Sequence, residues 1–209
     1  FGENMFITMV TKQGVMKKTD LVNFKKTRKG GIIAISLGKE DKLIDVQLTN
    51  GKQEILIGTH GGMAIRFNES DVRSMGRTAA GVRAIKLDKK DFVVGLVAVK
   101  RAGTSILVVT DKGYGKRSDL QDYRMTRRGG KGVITMKSSD KNGNVISIRE
   151  VVDNDDLMII TTKGIMIRQN LGEIRVMGRN TQGVRLIKLH EGDTISAVAS
   201  VVGEDVEAE

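Results

Sequence analysis

A sequence that returns to the same two landmarks four times, at a spacing near fifty residues, is constrained to fold as a series of like units. The first landmark is an apolar stretch ending in a threonine-containing turn with a glycine. It occurs as residues 6–10 with Thr11-Lys12-Gln13-Gly14, and as residues 55–57 with Thr59-His60-Gly61-Gly62. It returns as residues 106–109 with Thr110-Asp111-Lys112-Gly113, and as residues 157–160 with Thr161-Thr162-Lys163-Gly164. The turn glycines stand 48, 51 and 51 residues apart. A second short apolar run follows each turn and ends in a base: Lys18, Arg66, Arg117 and Arg168. Two such runs joined by a short glycine-bearing connection predict a β-hairpin.

The second landmark is a basic loop closed by Gly-Val or Gly-Ile. Its copies are Lys25-Lys26-Thr27-Arg28-Lys29-Gly30-Gly31-Ile32, Met75-Gly76-Arg77-Thr78-Ala79-Ala80-Gly81-Val82, Met125-Thr126-Arg127-Arg128-Gly129-Gly130-Lys131-Gly132-Val133 and Met177-Gly178-Arg179-Asn180-Thr181-Gln182-Gly183-Val184. The closing glycines are 50, 51 and 51 residues apart. A third strand is expected after each loop, at 32–37, 82–87, 133–137 and 184–189. A fourth is expected at 43–48, 92–99, 145–152 and 194–202. Four strands per unit at this period predict an all-β, propeller-like fold. The blades fall at about 5–51, 55–100, 105–152 and 156–203, followed by an acidic tail at 204–209. No unit carries the 3.6-residue apolar stripe of a helical solenoid.

Repetition gives the charge pattern its meaning. The formal net charge is +10, and the last six residues hold four of the 25 carboxylates and no base. Without them, 35 bases against 21 carboxylates leave +14. Such a balance predicts a polyanionic partner. No apolar run approaches the roughly 18 residues of a membrane span, and no signal peptide is expected, so the cytoplasm is the expected compartment. The absence of cysteine excludes disulfides and thiolate metal sites. Only seven aromatic residues are present, too few for a base-stacking platform. Contact with the backbone of duplex DNA needs none.

Within the third loop, three cations and three glycines occupy six consecutive residues, and Arg124 adds a fourth cation upstream. Glycines let a backbone turn tightly and approach a ligand. Paired arginines can fork onto phosphate oxygens, with a lysine as a point charge beside them. If each loop occupies an equivalent point on its blade, the charges form a belt on one rim. The expected DNA contacts are Lys25, Lys26, Arg28, Lys29, Arg73, Arg77, Arg124, Arg127, Arg128, Lys131, Arg175 and Arg179. The first and third loops, with four bases each, are the stronger. Lys18, Arg66, Lys116, Arg117 and Arg168 are further candidates for phosphate contact, against a reading as exposed hairpin ends.

At this point the repeats resemble the C-terminal domain of the DNA gyrase A subunit, which is a six-bladed propeller-like fold also called a β-pinwheel. That family's hallmark box reads Gln-Arg-Arg-Gly-Gly-Lys-Gly. Thr126-Arg127-Arg128-Gly129-Gly130-Lys131-Gly132 matches six of its seven positions. Tyr114-Gly115-Lys116-Arg117 and Arg179-Asn180-Thr181-Gln182-Gly183-Val184-Arg185 are similar to segments of the family's last two blades, and the acidic end is similar to its tails. The family's box stands in the first blade, whereas the best copy here is in the third of four repeats and lacks the leading Gln. Four repeats are also two short of six. Both departures, and the absence of a starting Met, fit a chain covering the last four blades.

The resemblance implies a non-catalytic role: binding, bending and wrapping double-stranded DNA in support of ATP-dependent negative supercoiling by the holoenzyme. It implies that the wrap is chiral and feeds a DNA segment to a strand-passage gate elsewhere. The implied partners are the remainder of the gyrase A subunit, together with the gyrase B subunit. No cofactor is expected here, since ATP and Mg²⁺ would act elsewhere in that enzyme. The equivalent domain of topoisomerase IV is the alternative within the superfamily. A propeller scaffold gripping an acidic protein is the alternative of another class.

Catalytic motifs are weak. Gly129-Gly130-Lys131-Gly132 lacks the spacing and the following Ser/Thr of a phosphate-binding P-loop. His60 and His190 lie in different repeats without ligand spacing and read as surface or turn residues. Asp153-Asn154-Asp155-Asp156 lacks the spacing of an EF-hand and reads as an inter-blade loop. Tyr114 and Tyr123 have no local support as covalent nucleophiles.

Overall fold

The computed structural model describes residues 4–26 and 29–203. Arg28 and the acidic tail at 204–209 lie outside the described residues. The chain is all-β: four antiparallel sheets in succession, joined by short 3-10 helical turns.

Each repeat opens with the expected hairpin: β1 (Phe6–Thr11) with β2 (Val15–Asp20), β4 (Glu54–Thr59) with β5 (Met63–Asn68), β8 (Ser105–Thr110) with β9 (Tyr114–Asp119), and β12 (Asp156–Thr161) with β13 (Met166–Asn170). The recurrent threonine has a local task. The hydroxyls of Thr11, Thr59, Thr110 and Thr161 accept the N–H of Val15, Met63, Tyr114 and Ile165, at 3.2–3.3 Å. The last strand of each repeat returns beside the first: β3 (Leu43–Thr49), β7 (Val93–Ala98), β11 (Val145–Val151) and β15 (Ile195–Val201). All four of these pairings shift register near the turn threonine, so each blade carries the same local bend.

The third strands differ from expectation. Instead of runs of five or six residues they are the two-residue β6 (Val82–Arg83), β10 (Val133–Ile134) and β14 (Val184–Arg185). Each pairs with the hairpin of the preceding repeat, on β2, β5 and β9 respectively. The ladder stops after two residues because the next two N–H groups turn onto one carbonyl. Ala84 and Ile85 both donate to Gly14 O, Thr135 and Met136 to Gly62 O, and Leu186 and Ile187 to Gly113 O. A blade is therefore three strands of one repeat plus a short strand from the next. Residues 32–37 form no strand, and the fourth sheet has three described strands, β13-β12-β15.

The exchange bears on three of the turn glycines, Gly14, Gly62 and Gly113, where a Cβ would meet the following repeat; at Gly164 no described atom lies within 4 Å. Gly62 has φ +84°, and a Cβ there would lie 2.3 Å from Met136 O of the following repeat. The core sits between successive sheets, in three clusters. Ile55 and Ile57 of β4 face the first blade while Leu56 faces the third, and all three are fully buried. Ile106 and Val108 of β8 likewise face the second blade while Leu107 and Val109 face the fourth. Strands covered on both faces read as unbroken apolar runs, which is how these segments are spelled.

Candidate nucleic-acid interface

The basic loops are positioned by the strand exchange. After β2, β5, β9 and β13 the chain makes a single 3-10 turn, at Leu21–Phe24, Glu69–Asp71, Leu120–Asp122 and Leu171–Glu173. In the last three repeats it then runs back along the second strand of the preceding blade. Met75 N donates to Lys18 O, Thr126 N to Arg66 O and Met177 N to Arg117 O, each at 2.9 Å. The donors stand six residues before Gly81, Gly132 and Gly183 respectively, so the three loops occupy equivalent places on successive blades.

That arrangement separates the candidate residues into groups. Arg73, Arg124 and Arg175 lie 51 residues apart, immediately beyond the 3-10 turns. They and Arg127 are exposed, with no side-chain hydrogen bond or ion pair among the described residues. Lys25, Lys26 and Lys29 of the first loop are also exposed.

Arg77, Arg128 and Arg179 form a second equivalent set, half-buried and partly occupied. Their guanidinium groups donate to Ile33 O (3.0 Å), Arg83 O (2.9 Å) and Ile134 O (2.8 Å) of the preceding repeat. Arg128 and Arg179 also donate to Asp71 O and Asp122 O, both at 3.0 Å. These arginines staple each loop to its neighbour and leave only part of the fork for a ligand. Lys131 bonds Asp88 at 2.8 Å across an exposed pair, a contact of about 0–1 kcal/mol that a phosphate can replace.

Four further candidates are corrected by burial. Lys18, Arg66, Lys116 and Arg117 are each at most 6% exposed; they are not exposed hairpin ends, and burial leaves them little surface to offer a phosphate. Arg66 donates to Leu120 O (2.7 Å) and Tyr123 O (2.9 Å) of the next repeat while pairing with Glu54 at 2.6 Å. Arg117 repeats the pattern one blade on, with Leu171 O, Ser105 Oγ and Asp153. Lys18 reaches Glu69 O at 3.2 Å. A buried cation needs such partners, and the loop lying across each strand end supplies them. Arg168, the fourth equivalent, stays exposed and pairs with Asp156 at 2.6 Å.

Lys116 belongs to a pair that sequence reasoning did not recognise. It and Lys17 are fully buried on the second strands of the third and first blades. Lys116 Nζ donates to Gly178 O (2.9 Å), Thr181 Oγ1 (3.1 Å) and Arg179 O of the fourth loop. Lys17 Nζ donates to Ala34 O and to Arg77 O of the second loop. Burial, with the nearby Arg179 charge adding to it and Asp122 opposing, lowers the Lys116 amine to about 8. Burial and then Arg77 lower that of Lys17. A periodic set of exposed cations was also missed: Lys86, Lys137 and Lys188, each five residues beyond a closing glycine. Lys86 N bonds Gly130 O at 2.8 Å and Lys137 N bonds Thr181 O at 3.0 Å. Lys86 and Lys137 therefore add to the loop of the following repeat, and the 51-residue spacing of the set was the available signal.

The remaining polar features are structural. His60 stacks on Phe92 at 4.4 Å and bonds Val145 O through Nδ1, while His190 is an exposed turn residue. Asp153, Asp155 and Asp156 pair with Arg117, Arg101 and Arg168. Burial opposes the Asp155 charge, but Arg101 and the Val152 N–H outweigh it and lower its pKa. Among the described residues no group of three His, Cys, Asp or Glu is placed to hold a metal ion. Tyr123 is fully buried with its hydroxyl 2.5 Å from Thr135, and burial pushes it up to about 12. Tyr114 is nearly buried and lies under the Arg185 guanidinium at 5.5 Å. Among the described residues no helix is long and apolar enough to cross a membrane.

The profile of the family described as "DNA gyrase C-terminal domain, beta-propeller" matches residues 6–50, 53–100, 104–151 and 155–201, one segment per repeat. The chain belongs to that family. The DNA gyrase A subunit of Staphylococcus epidermidis is 46% identical over 205 residues, covering 98% of this chain and 23% of that protein. The chain spans about a quarter of the length of the curated relatives it matches. The crystal structure of the C-terminal domain of DNA topoisomerase IV superimposes with a TM-score of 0.92 at 30% identity, over 98% of this chain and 64% of that one. A DNA gyrase A C-terminal domain superimposes with a TM-score of 0.87 at 24% identity, over 96% and 67%; that second likeness concerns the fold.

Proposed function

We propose that this gyrase C-terminal domain binds, bends and wraps double-stranded DNA without chemistry of its own, as part of the gyrase A subunit. In that setting it supports ATP-dependent negative supercoiling together with the rest of that polypeptide and the gyrase B subunit. The observation that carries this reading is the set Arg73, Arg124 and Arg175. These cations have no side-chain partner among the described residues and stand at one equivalent exposed position on three successive blades, each beside a further cationic loop. Cations on a rim neutralise phosphates and release counterions without reading bases. Non-specific affinities of about 10⁻⁴–10⁻⁶ M correspond to roughly 5.5–8 kcal/mol, and bending 20–30 bp costs on the order of 1–6 kcal/mol. One loop would spend most of its binding energy on the bend, whereas several loops on a rigid arc share that cost. The relatives at 46–47% identity over nearly the whole chain are DNA gyrase A subunits, which favours gyrase as the parent enzyme.

The test is the salt dependence of duplex binding together with a supercoiling-shift assay on relaxed circles. Wrapping requires a slope of log K against log salt of several units, about 0.9 per phosphate contact, and a topological shift that needs long DNA. A scaffold for an acidic protein instead gives weak duplex binding and no shift.

A further inference from the structure

The second and fourth loops are held from beneath by lysine, and the third is not. Three residues after the turn glycine, the four repeats carry Lys17, Ile65, Lys116 and Ile167 in turn. Ile65 supports the glycine-rich third loop through an apolar contact, lying 3.7 Å from where a Cβ on Gly130 would stand. Lys116 instead meets three oxygens of the fourth loop, those of Gly178, Arg179 and Thr181. An ammonium has three N–H donors and no acceptor, so three oxygens match the charged form one for one. A neutral amine has one donor fewer and aims a lone pair at one of those oxygens.

We propose that Lys116 is a positioning residue for DNA contact: its buried ammonium seats the loop carrying Arg175 and Arg179, and the loop's grip on a duplex follows the protonation of that amine. The inference rests on the DNA-wrapping reading. Lys116 is fully buried and does not itself touch a phosphate; it acts through the carbonyls of Gly178 and Arg179 and the hydroxyl of Thr181. The charged groups that face it are Arg179 of the loop and Asp122 of the 3-10 turn, with the Tyr123 hydroxyl raised too far to titrate alongside it. Because the amine is lowered to about 8, its change of state falls at mildly alkaline pH. Lys17 repeats the device under Arg77.

The sign separates this device from plain stabilisation. The folded pKa lies below the unfolded value, so between about pH 8 and 10.5 the unfolded chain binds more protons and folding stability rises with pH. The proposal makes DNA affinity fall across the same window. The test is a titration of the 209-residue chain with duplex DNA at fixed ionic strength from pH 7 to 9.5, with thermal melts alongside. Lys116→Met and Lys116→Ile are measured in parallel, the second copying the residue found in two other repeats. The wild type should lose about fivefold in affinity with no drop in melting temperature, the equivalent of one hydrogen bond of ordinary net strength. The variants should start about fivefold weaker at pH 7 and show a correspondingly smaller pH dependence. Binding by the wild type that is flat across pH would overturn the inference and leave the DNA reading intact. So would a folded variant that keeps the wild-type profile. No duplex binding by the wild type at pH 7 would overturn the DNA reading, and this inference with it.

Discussion

Replacing Arg66 by Met distinguishes a cation that clamps two blades from one that grips DNA. Arg66 is 6% exposed and makes two hydrogen bonds to Glu54 and two to the carbonyls of Leu120 and Tyr123. Met fills much of the space but leaves both carbonyls and the Glu54 carboxylate, itself 33% exposed, without their partner. Removing one side of a buried pair costs about 3–5 kcal/mol, and each charge-assisted bond to a carbonyl is worth about 1.5–3 kcal/mol. These terms overlap, because one guanidinium makes all the bonds, so the expected loss is about 3–5 kcal/mol in total. For a chain of this size that corresponds to a fall in Tm of roughly 6–20 °C. The assay is chemical and thermal denaturation of Arg66→Met beside Arg124→Ala, whose exposed side chain should change stability by no more than about 0.5 kcal/mol. Below the transition, duplex affinity per folded molecule should be unchanged by Arg66→Met and reduced by Arg124→Ala. A variant at Arg66 that loses under 1 kcal/mol of stability, or that loses DNA affinity while remaining fully folded, would refute the reasoning.

Replacing Arg73, Arg124 and Arg175 together by Ala should flatten the slope of log K against log salt by about 0.9 for each phosphate no longer neutralised, close to 2.7 in all, equally for any duplex sequence; titrations at four salt concentrations measure it. In the third loop, Arg127→Ala should weaken DNA binding with little change in stability. Arg128→Ala should also lower stability by about 1–3 kcal/mol, because it frees Asp71 O and Arg83 O. Burial opposes the Asp193 charge, but hydrogen bonds from Thr162, Thr161, Lys163 N–H and Thr194 N–H outweigh it and lower its pKa. Its stabilisation is therefore complete above the unfolded carboxylate value and lost as pH falls through the folded one. Asp193→Asn should flatten that part of the acid limb in a denaturation series from pH 6 to 2.

Much of the architecture was legible because its signals are local. Thr59 and Gly62 mark one hairpin by chemistry that any repeat must reproduce, and 51-residue spacing carries the assignment to the others. The strand exchange was not legible. Val82–Arg83 is two residues long, and nothing in a dipeptide says whether it pairs with its own repeat or with the one before. That gap explains the misplaced cations. Lys18, Arg66 and Arg117 end strands, and at a strand end a cation facing water is spelled like one facing carbonyls. Only the crossing of the next repeat over that spot, visible in Thr126 N–H donating to Arg66 O, decides between them. Lys17 and Lys116 did leave a trace, since isoleucine fills the same place in the other two repeats. Reading it required aligning the second strands residue by residue as well as the loops.

The closing glycines offer a comparison in which the protein supplies its own control. Gly31 and Gly132 occupy equivalent positions with nearly equal φ, +76° and +78°, so an Ala at either suffers the same left-handed strain of about 1–2 kcal/mol. Their surroundings differ. No described atom lies within 4 Å of a Cβ built on Gly31, whereas on Gly132 it would stand 2.1 Å from Ala64 O and 2.7 Å from Ala64 C. Those atoms belong to β5, paired on one side with β4 and on the other with β10, and a backbone held in two ladders cannot move aside as a side chain can. The added clash costs about 1–3 kcal/mol if the structure yields locally, and more if β10 is expelled from the sheet. Gly31→Ala should therefore lower stability by about 1–2 kcal/mol and Gly132→Ala by about 2–5 kcal/mol, measured by urea denaturation of both. The difference isolates the contact between consecutive repeats, since the intrinsic backbone strain cancels. Equal losses at the two sites would show that the exchanged strand, with its glycine, adds nothing to holding the blades together.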